Sequence, residues 1–328
     1  MIIAGILPHL KLCGGVRRYI EIGNEMIKRG HHFTIYHSDG SQPAWIEFLG
    51  ATRPIECVIE ESNDIAICGH HSILGFLERA KAKRKIFYCV LEEPEKIKKV
   101  CQSGKFLIMG NSTGICEKIK GRYGIECIDG IGGINLKTFR PVEVKRNSEE
   151  VKVLCYGRIY ERRKGVKKVT RAVELLAKIY PNLRLILFDT PTGSPRQDPV
   201  RMLRTKVPFD FYLDLSQDKM AEMYSQADIF VSAEKRAGWS NTTAEAMACR
   251  VPVICTRSGT RDFAIKGETA LLIPFRNSLA IAWQIRKLIK DQDLRRRLAD
   301  SGYQRIQQFS WARLTDKLEK EFQKLLGP

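Results

Sequence analysis

The chain has 328 residues, of which 44% are hydrophobic and 28% charged, and a net charge of +18. That balance belongs to a folded globular protein and excludes a disordered or low-complexity chain. The length exceeds one ordinary core and predicts two domains of about 150 residues each, and no apolar run approaches the ~18 residues of a membrane span.

In chain order, the opening "MIIAGILPHL" lacks the charged leader and small-residue cleavage site of a signal peptide and reads as a buried first strand. A helix is predicted from Val16 to Arg29, with Val16, Tyr19, Ile20, Gly23 and Ile27 on one face and Gly30 as its stop. The runs "HFTIY", "DIAIC", "KIFYCV", "KFLIM" and "IECID" then alternate with helical stretches, which argues for a parallel sheet with helices on both faces. "ERAKAKRK", residues 78 to 85, reads as a basic helical stretch. Proline and consecutive charges in "FRPVEVKRNSEE", residues 139 to 150, interrupt the pattern and predict a linker, dividing the chain into domains 1–145 and 146–328.

A second series follows: "VKVLCYGR", a helix from Val166 to Ile179, "LRLILFD", "FDFYLD", a helix near Asp218 to Ser225, "DIFVSA", "VPVIC" and "ALLIP". The expected fold class is therefore α/β, with two doubly wound Rossmann-like domains in tandem facing each other across a cleft, where ligands lie beyond the carboxyl ends of the strands. Beyond Ser278 the chain reads as helical. In its last helix Ser310 is the predicted cap, and Trp311, Leu314, Leu318, Phe322 and Leu325 form an apolar stripe. That helix is expected to pack on its own domain or to cross back to the N-terminal one.

Charge is uneven: 21 basic against 16 acidic residues through residue 145 and 34 against 21 beyond it, so the second half carries +13. Such a surplus suits phosphates, nucleic acid or an anionic membrane. No nucleic-acid-binding module is recognisable, so nucleic acid is not an expected partner. The ten cysteines are scattered without a C-x-x-C pair or metal-ligand spacing, which predicts reduced thiols, a cytoplasmic location and no structural zinc.

Two stretches carry chemistry. In "EKRAGWSNTTAEAMACRVPVIC", residues 234 to 255, a loop of small residues follows a strand, and a helix is expected to begin near Thr242 or Thr243 with a threonine as cap. Its free N–H groups and positive dipole end favour phosphate, and Glu245, expected in the first turn, could accept hydrogen bonds from a ribose diol or merely complement the dipole. In "YGRIYERRKG", residues 156 to 165, Arg158 and Lys164 follow the first strand of the second domain and suit a diphosphate whose charge grows as it leaves. A solvated basic loop is the plain alternative.

"GRIYERRKG" and "AEAMACRVPVICTRSGTRDF", preceded by "GGIN…FRP" at 132 to 141 and "CGGVRRY" at 13 to 19, resemble glycosyltransferase family 4, the retaining enzymes of GT-B fold, over nearly the whole chain. The resemblance implies a retaining glycosyltransferase that moves a sugar from a nucleoside-diphosphate sugar to an acceptor hydroxyl on a glycan, a lipid-linked molecule or a small molecule, without a metal or other cofactor. It implies that Arg158 and Lys164 hold the diphosphate and that Glu245 binds the ribose. Gly238, Trp239 and Ser240 would meet the sugar, Asn241 and Thr242 would lie near the phosphates, and Gly14 and Gly15 would close on the donor.

Two positions depart from the family pattern. Ala237 stands where the first glutamate of the signature belongs, with Glu234 close by but out of register. Arg158 and Lys164 are separated by five residues where four is usual, so Arg163 could take the place of the lysine. His70 and His71 are candidates for a cleft-lining histidine, and Glu92 and Glu93 for an acceptor-side role. The basic stretch 78–85 is the candidate for peripheral contact with an anionic membrane at its inner face. The competing readings are a nucleotide-sugar epimerase of GT-B fold and a nucleotide-binding protein that has lost catalysis.

Overall fold

Runs of Ile, Val, Leu and Phe with no polar side to turn toward water become parallel strands covered on both faces. The computed structural model describes residues 1–91, 97–145, 149–190 and 198–327. Glu92 and Glu93 lie outside the described residues. The chain divides into two units, Met1–Gly133 with Phe309–Pro328, and Ile134–Gln308.

In the first unit the strands are β1 (Ile2–Ile6), β2 (His32–His37), β3 (Ala51–Pro54), β4 (Asn63–Cys68), β5 (Ala82–Cys89), β6 (Leu107–Gly110) and β7 (Ile128–Asp129). They interleave with helices α1 (Gly14–Lys28), α2 (Leu74–Arg79), α3 (Lys98–Ser103) and α4 (Thr113–Tyr123). Their order in the sheet is β3-β2-β1-β4-β5-β6-β7. All pairs are parallel, with Ile3 beside both Phe33 and Ile65.

The basic stretch 78–85 is a correction to the sequence reading. α2 stops at Arg79, and residues from Ala82 onward are strand β5, paired with β4 through Asn63 and Ala82. Sheet pairing overrides the helical propensity of the Ala/Lys run. Its cations also have local partners: Lys83 with Asp64 (2.9 Å), Arg84 with the carbonyl of Leu325 (2.7 Å) and Lys85 with the carbonyl of Glu78 (2.5 Å).

In the second unit the strands are β8 (Val151–Tyr156), β9 (Leu183–Asp189), β10 (Phe209–Leu213), β11 (Ile229–Ser232), β12 (Val253–Cys255) and β13 (Leu271–Leu272). Their helices are α5 (Val166–Ala177), α6 (Pro199–Met202), α7 (Gln217–Ser225), α8 (Asn241–Ala248), α9 (Ser278–Lys290) and α10 (Gln292–Ile306). The sheet order is β10-β9-β8-β11-β12-β13, again parallel, with Leu154 beside both Ile186 and Phe230. The order reverses between β8 and β11, so the loops after those two strands flank a crevice, the usual ligand position in a doubly wound sheet.

The last helix, α11 (Trp311–Leu326), groups with the first unit. Ser310 caps it, accepting the Arg313 N–H at 3.3 Å, and Trp311, Leu314, Leu318 and Phe322 are buried in the first unit's core. Each such side chain contributes about 1.5–3 kcal/mol by leaving water. Arg29, at the end of α1, adds an ion pair to Asp316 (2.6 Å), and the buried Arg18 donates to the Tyr88 hydroxyl (2.8 Å) and lies over the Trp311 ring.

The segment expected to be a linker does not begin as one. Phe139 is buried edge-on to Tyr224, and the Val142 N–H donates to the Ser225 hydroxyl (3.1 Å), so the second unit starts before the charged run. Among the described residues no helix is long and apolar enough to cross a membrane.

Candidate functional site

β8 ends at Tyr156, and the chain then turns through Gly157–Lys164 to reach α5 at Val166. Gly165 makes that turn possible. Its φ is +74°, and a Cβ there would stand 2.5 Å from the Ala233 carbonyl oxygen at the end of β11. Only glycine takes this conformation against so near a backbone. The close approach brings the basic loop after β8 onto the loop after β11.

There Lys164 Nζ donates to Glu234 Oε1 at 2.5 Å, and Arg163 Nη1 donates to the same oxygen at 3.1 Å. Glu234 is buried, so its charge requires such partners. Arg163 is also paired with Glu161 (2.7 Å). The structure thus puts both Lys164 and Arg163 at one carboxylate, with Lys164 the more buried of the two.

A small pocket with about 10 Å³ of room for water is lined by Lys164, Glu234, Ser232, Tyr156 and Thr242. Arg158 also meets Tyr156, its guanidinium over the Tyr156 and Tyr160 rings. It is held by Asp189 at the end of β9 (Nε to Oδ1, 3.0 Å) and by the Thr190 hydroxyl (2.8 Å). Burial acts to lower the pKa of Arg158, but Tyr156 and Asp189 outweigh it and raise it further, so the cation stays charged.

After β11 the loop 237–240 is packed inward. Ala237, Gly238, Trp239 and Ser240 are all buried. The Ala237 N–H donates to the Ser258 hydroxyl (2.8 Å), the Ser240 N–H donates to the Gly259 carbonyl (2.8 Å), and the Trp239 ring packs 4.8 Å from Phe263. The side chain of Trp239 is thereby committed to the core.

α8 starts one residue earlier than expected for a helix opening at Thr242. Its N-cap is Ser240, whose hydroxyl is spent on Thr243 (2.8 Å) and makes no capping bond to the backbone. Because the helix begins at Asn241, Glu245 falls in the second turn rather than the first. It therefore does not serve as a charge on an exposed helix start. It is buried and accepts the Tyr224 hydroxyl at 2.8 Å. Burial, with the Glu245 carboxylate next in size, raises the Tyr224 pKa well above 10, so the phenol remains a donor. Asn241 and Thr242, half-buried, occupy the first two helical positions.

The remaining candidates belong to the first unit, at its own switch point between β1 and β4. Gly14 and Gly15 open α1, and a Cβ at Gly15 would meet nothing within 4 Å. His70 and His71 follow β4, exposed and stacked with centroids 4.7 Å apart. His70 caps a short turn, its Nδ1 meeting the Ser72 hydroxyl at 2.7 Å.

Four site residues escaped the sequence reading or were set aside by it. Asp189 ends "LRLILFD", and a carboxylate closing the apolar run from Leu185 to Phe188 is the available signal. Glu234 was discounted for its register. Tyr224 has no local signature. Arg276, between β13 and α9, donates to the carbonyls of Ala233 (2.5 Å), Arg163 (2.8 Å) and Arg162 (3.0 Å), tying the basic loop to the end of β11.

Residues 137–305, more than half of the chain, match the family described as glycosyl transferases group 1. The chain belongs to this family. A capsular polysaccharide biosynthesis glycosyltransferase, CapM, from Staphylococcus aureus is 27% identical over 210 residues, covering 60% of this chain and 55% of the relative. An N-acetyl-alpha-D-glucosaminyl L-malate synthase from Bacillus anthracis is 28% identical, covering 52% of this chain and 45% of the relative. The chain spans about half the length of these curated relatives.

Among solved structures, a glycosyltransferase from Rickettsia africae superposes with a TM-score of 0.78 at 17% identity, covering 99% of this chain and 98% of that one. Anabaena HepE, solved with UDP and glucose, superposes at 0.72 and 16% identity, covering 98% and 99%. At such identities the likeness is one of fold, two parallel doubly wound sheets with helices.

Proposed function

We propose that this chain transfers a sugar from a nucleoside-diphosphate sugar to an acceptor hydroxyl with retention of anomeric configuration. The observation that carries the reading is that Lys164, which shares Glu234 with Arg163, lines one pocket at the β8/β11 switch point together with Thr242 at the start of α8, a helix whose N-cap side chain makes no bond to the backbone. A family of glycosyltransferases and a structural neighbour solved with UDP and glucose support the class of donor.

In this mechanism the α8 N–H groups and Lys164 meet the diphosphate, and Arg158 adds charge as the leaving group develops its own. Glu245 binds the ribose diol, and backbone groups of Gly238, Trp239 and Ser240 meet the sugar. No nucleophilic carboxylate stands at Ala237, so the sugar passes through an oxocarbenium-like state and a departing phosphate oxygen takes the acceptor proton on the same face. These side chains neutralise the diphosphate without a metal, and a chelator is expected to leave the rate unchanged. Arg163 partners Glu234 and is a reserve cation for the diphosphate.

The test is a turnover assay with nucleoside-diphosphate sugars, the product's anomeric centre being read by NMR. Retained configuration supports the reading. An inverted product contradicts the mechanism, turnover of the nucleotide sugar with no acceptor points to epimerisation, and diphosphate binding without turnover points to a protein that has lost catalysis.

A further inference from the structure

The outer face of α9 has no structural work assigned to it. Its inner residues Ile281, Ala282, Ile285 and Leu288 are buried in the second unit's core beside α5. The opposite side holds Leu279 and Trp283, 72% and 58% exposed, and Phe275 just ahead of the helix is 71% exposed. Residues four apart on a helix lie one above the other, so Leu279 and Trp283 form a ridge, and Phe275 is exposed in the turn just ahead of the N-cap Asn277. Single exposed apolar residues need no explanation, but an exposed Leu–Trp ridge with an exposed Phe at the start of the same segment marks an interaction surface.

Charge specifies the partner. From Phe275 to Lys290 the sequence contains no Asp or Glu, and Arg286, Lys287 and Lys290 are exposed along the last turns of α9. The adjoining α5 exposes Lys167 and Arg171, and its one acid, Glu174, is paired with Arg171 (3.2 Å). Acids reappear only at Asp291 and Asp293, where α10 begins, and Asp291 is engaged in capping that helix. A second copy docking isologously would set these cations against their own kind. An aromatic and aliphatic ridge bordered by Lys and Arg instead matches the boundary between acyl chains and anionic headgroups.

We propose that the outer face of α9 seats the second unit on an anionic lipid surface, with Phe275, Leu279 and Trp283 entering the interface and Arg286, Lys287 and Lys290 meeting lipid phosphates. The surface differs from the 78–85 stretch, whose Lys83, Arg84 and Lys85 have partners within the first unit. It is also independent of the transfer chemistry. It is tied to the pocket through Phe275, which precedes Arg276, the residue that holds the basic loop, and through the inner face of α9, which packs in one core with Val166 and Val169 of the pocket lining.

The test is flotation of the full chain with phosphatidylcholine vesicles with and without phosphatidylglycerol, together with tryptophan emission. Trp239 and Trp311 are buried and Trp45 is half-buried, so a shift to the blue on binding reports Trp283. The full chain is expected to float with the anionic vesicles only. Arg286, Lys287 and Lys290 changed together to Gln should weaken partitioning roughly 100-fold, at about fivefold per cation. Leu279→Ser with Trp283→Ser should weaken it at least about tenfold, from the lost apolar burial. Both variants alter exposed positions and should keep the wild-type melting temperature. Failure to float, flotation insensitive to both variants, or self-association that Leu279→Ser abolishes would overturn the proposal, and so would selective binding to an acidic protein without vesicle binding. None of these results bears on donor turnover.

Discussion

The two sheets are wound alike, yet their switch points differ in kind. Around β1 and β4 the loops carry Gly14, His70 and His71, which are exposed, with His70 bonded to its near neighbour Ser72. Around β8 and β11 the loops carry Lys164 and Glu234, and the helix α8 that follows carries Glu245, all withdrawn from solvent and bonded across long sequence separations. The winding provides a crevice in both units, and buried, mutually dependent charges set the second unit's crevice apart. On the proposed reading, changes at His70 or His71 are expected to disturb donor handling far less than changes at Lys164 or Glu245.

The largest break in that comparison comes from Lys164→Ala. Loss of one cation at the leaving group is expected to cut kcat by about 10²–10³-fold in the donor assay, with a smaller effect of Arg163→Ala. Next, Gly165→Ala forces a side chain into φ +74° and against the Ala233 carbonyl. It should cost roughly 1–3 kcal/mol in denaturant unfolding and lower activity, since the basic loop must shift. Glu245→Ala leaves the buried Tyr224 hydroxyl without its acceptor and should cost a similar ~1–3 kcal/mol while raising the donor KM.

His70→Ala should lose only a cap worth about 0.5–1 kcal/mol and leave nucleotide affinity unchanged by calorimetry. The smallest effect concerns thiols. Burial pushes Cys155 and Cys255 up to about 12, so a thiol reagent at neutral pH should spare them and modify the exposed Cys13 without loss of the fold.

The strands and most helices were legible because their signals are local: apolar runs of strand length, a 3.6-residue stripe, a serine before Trp311. The helix assigned to 78–85 failed because β4 recruits that segment as a strand, and pairing is not local information. The boundary between units escaped for a similar reason. Phe139 looks like part of a charged linker until its packing on Tyr224 is known.

At the site, Lys164 and Arg158 were readable from their place after a strand, but their anionic partners were not. Glu234 and Asp189 meet them from 70 and 31 residues away. Register alone made Glu234 look irrelevant. Its position at the end of β11, opposite the Gly165 turn, gives it two cations to hold.

Hydrogen–deuterium exchange with and without nucleoside diphosphates tests the location of the donor most directly. Protection confined to the segments 157–165 and 233–245, and lost in Lys164→Ala, is the expected result. Protection around residues 13–20 and 69–73 with none in the second unit would contradict it.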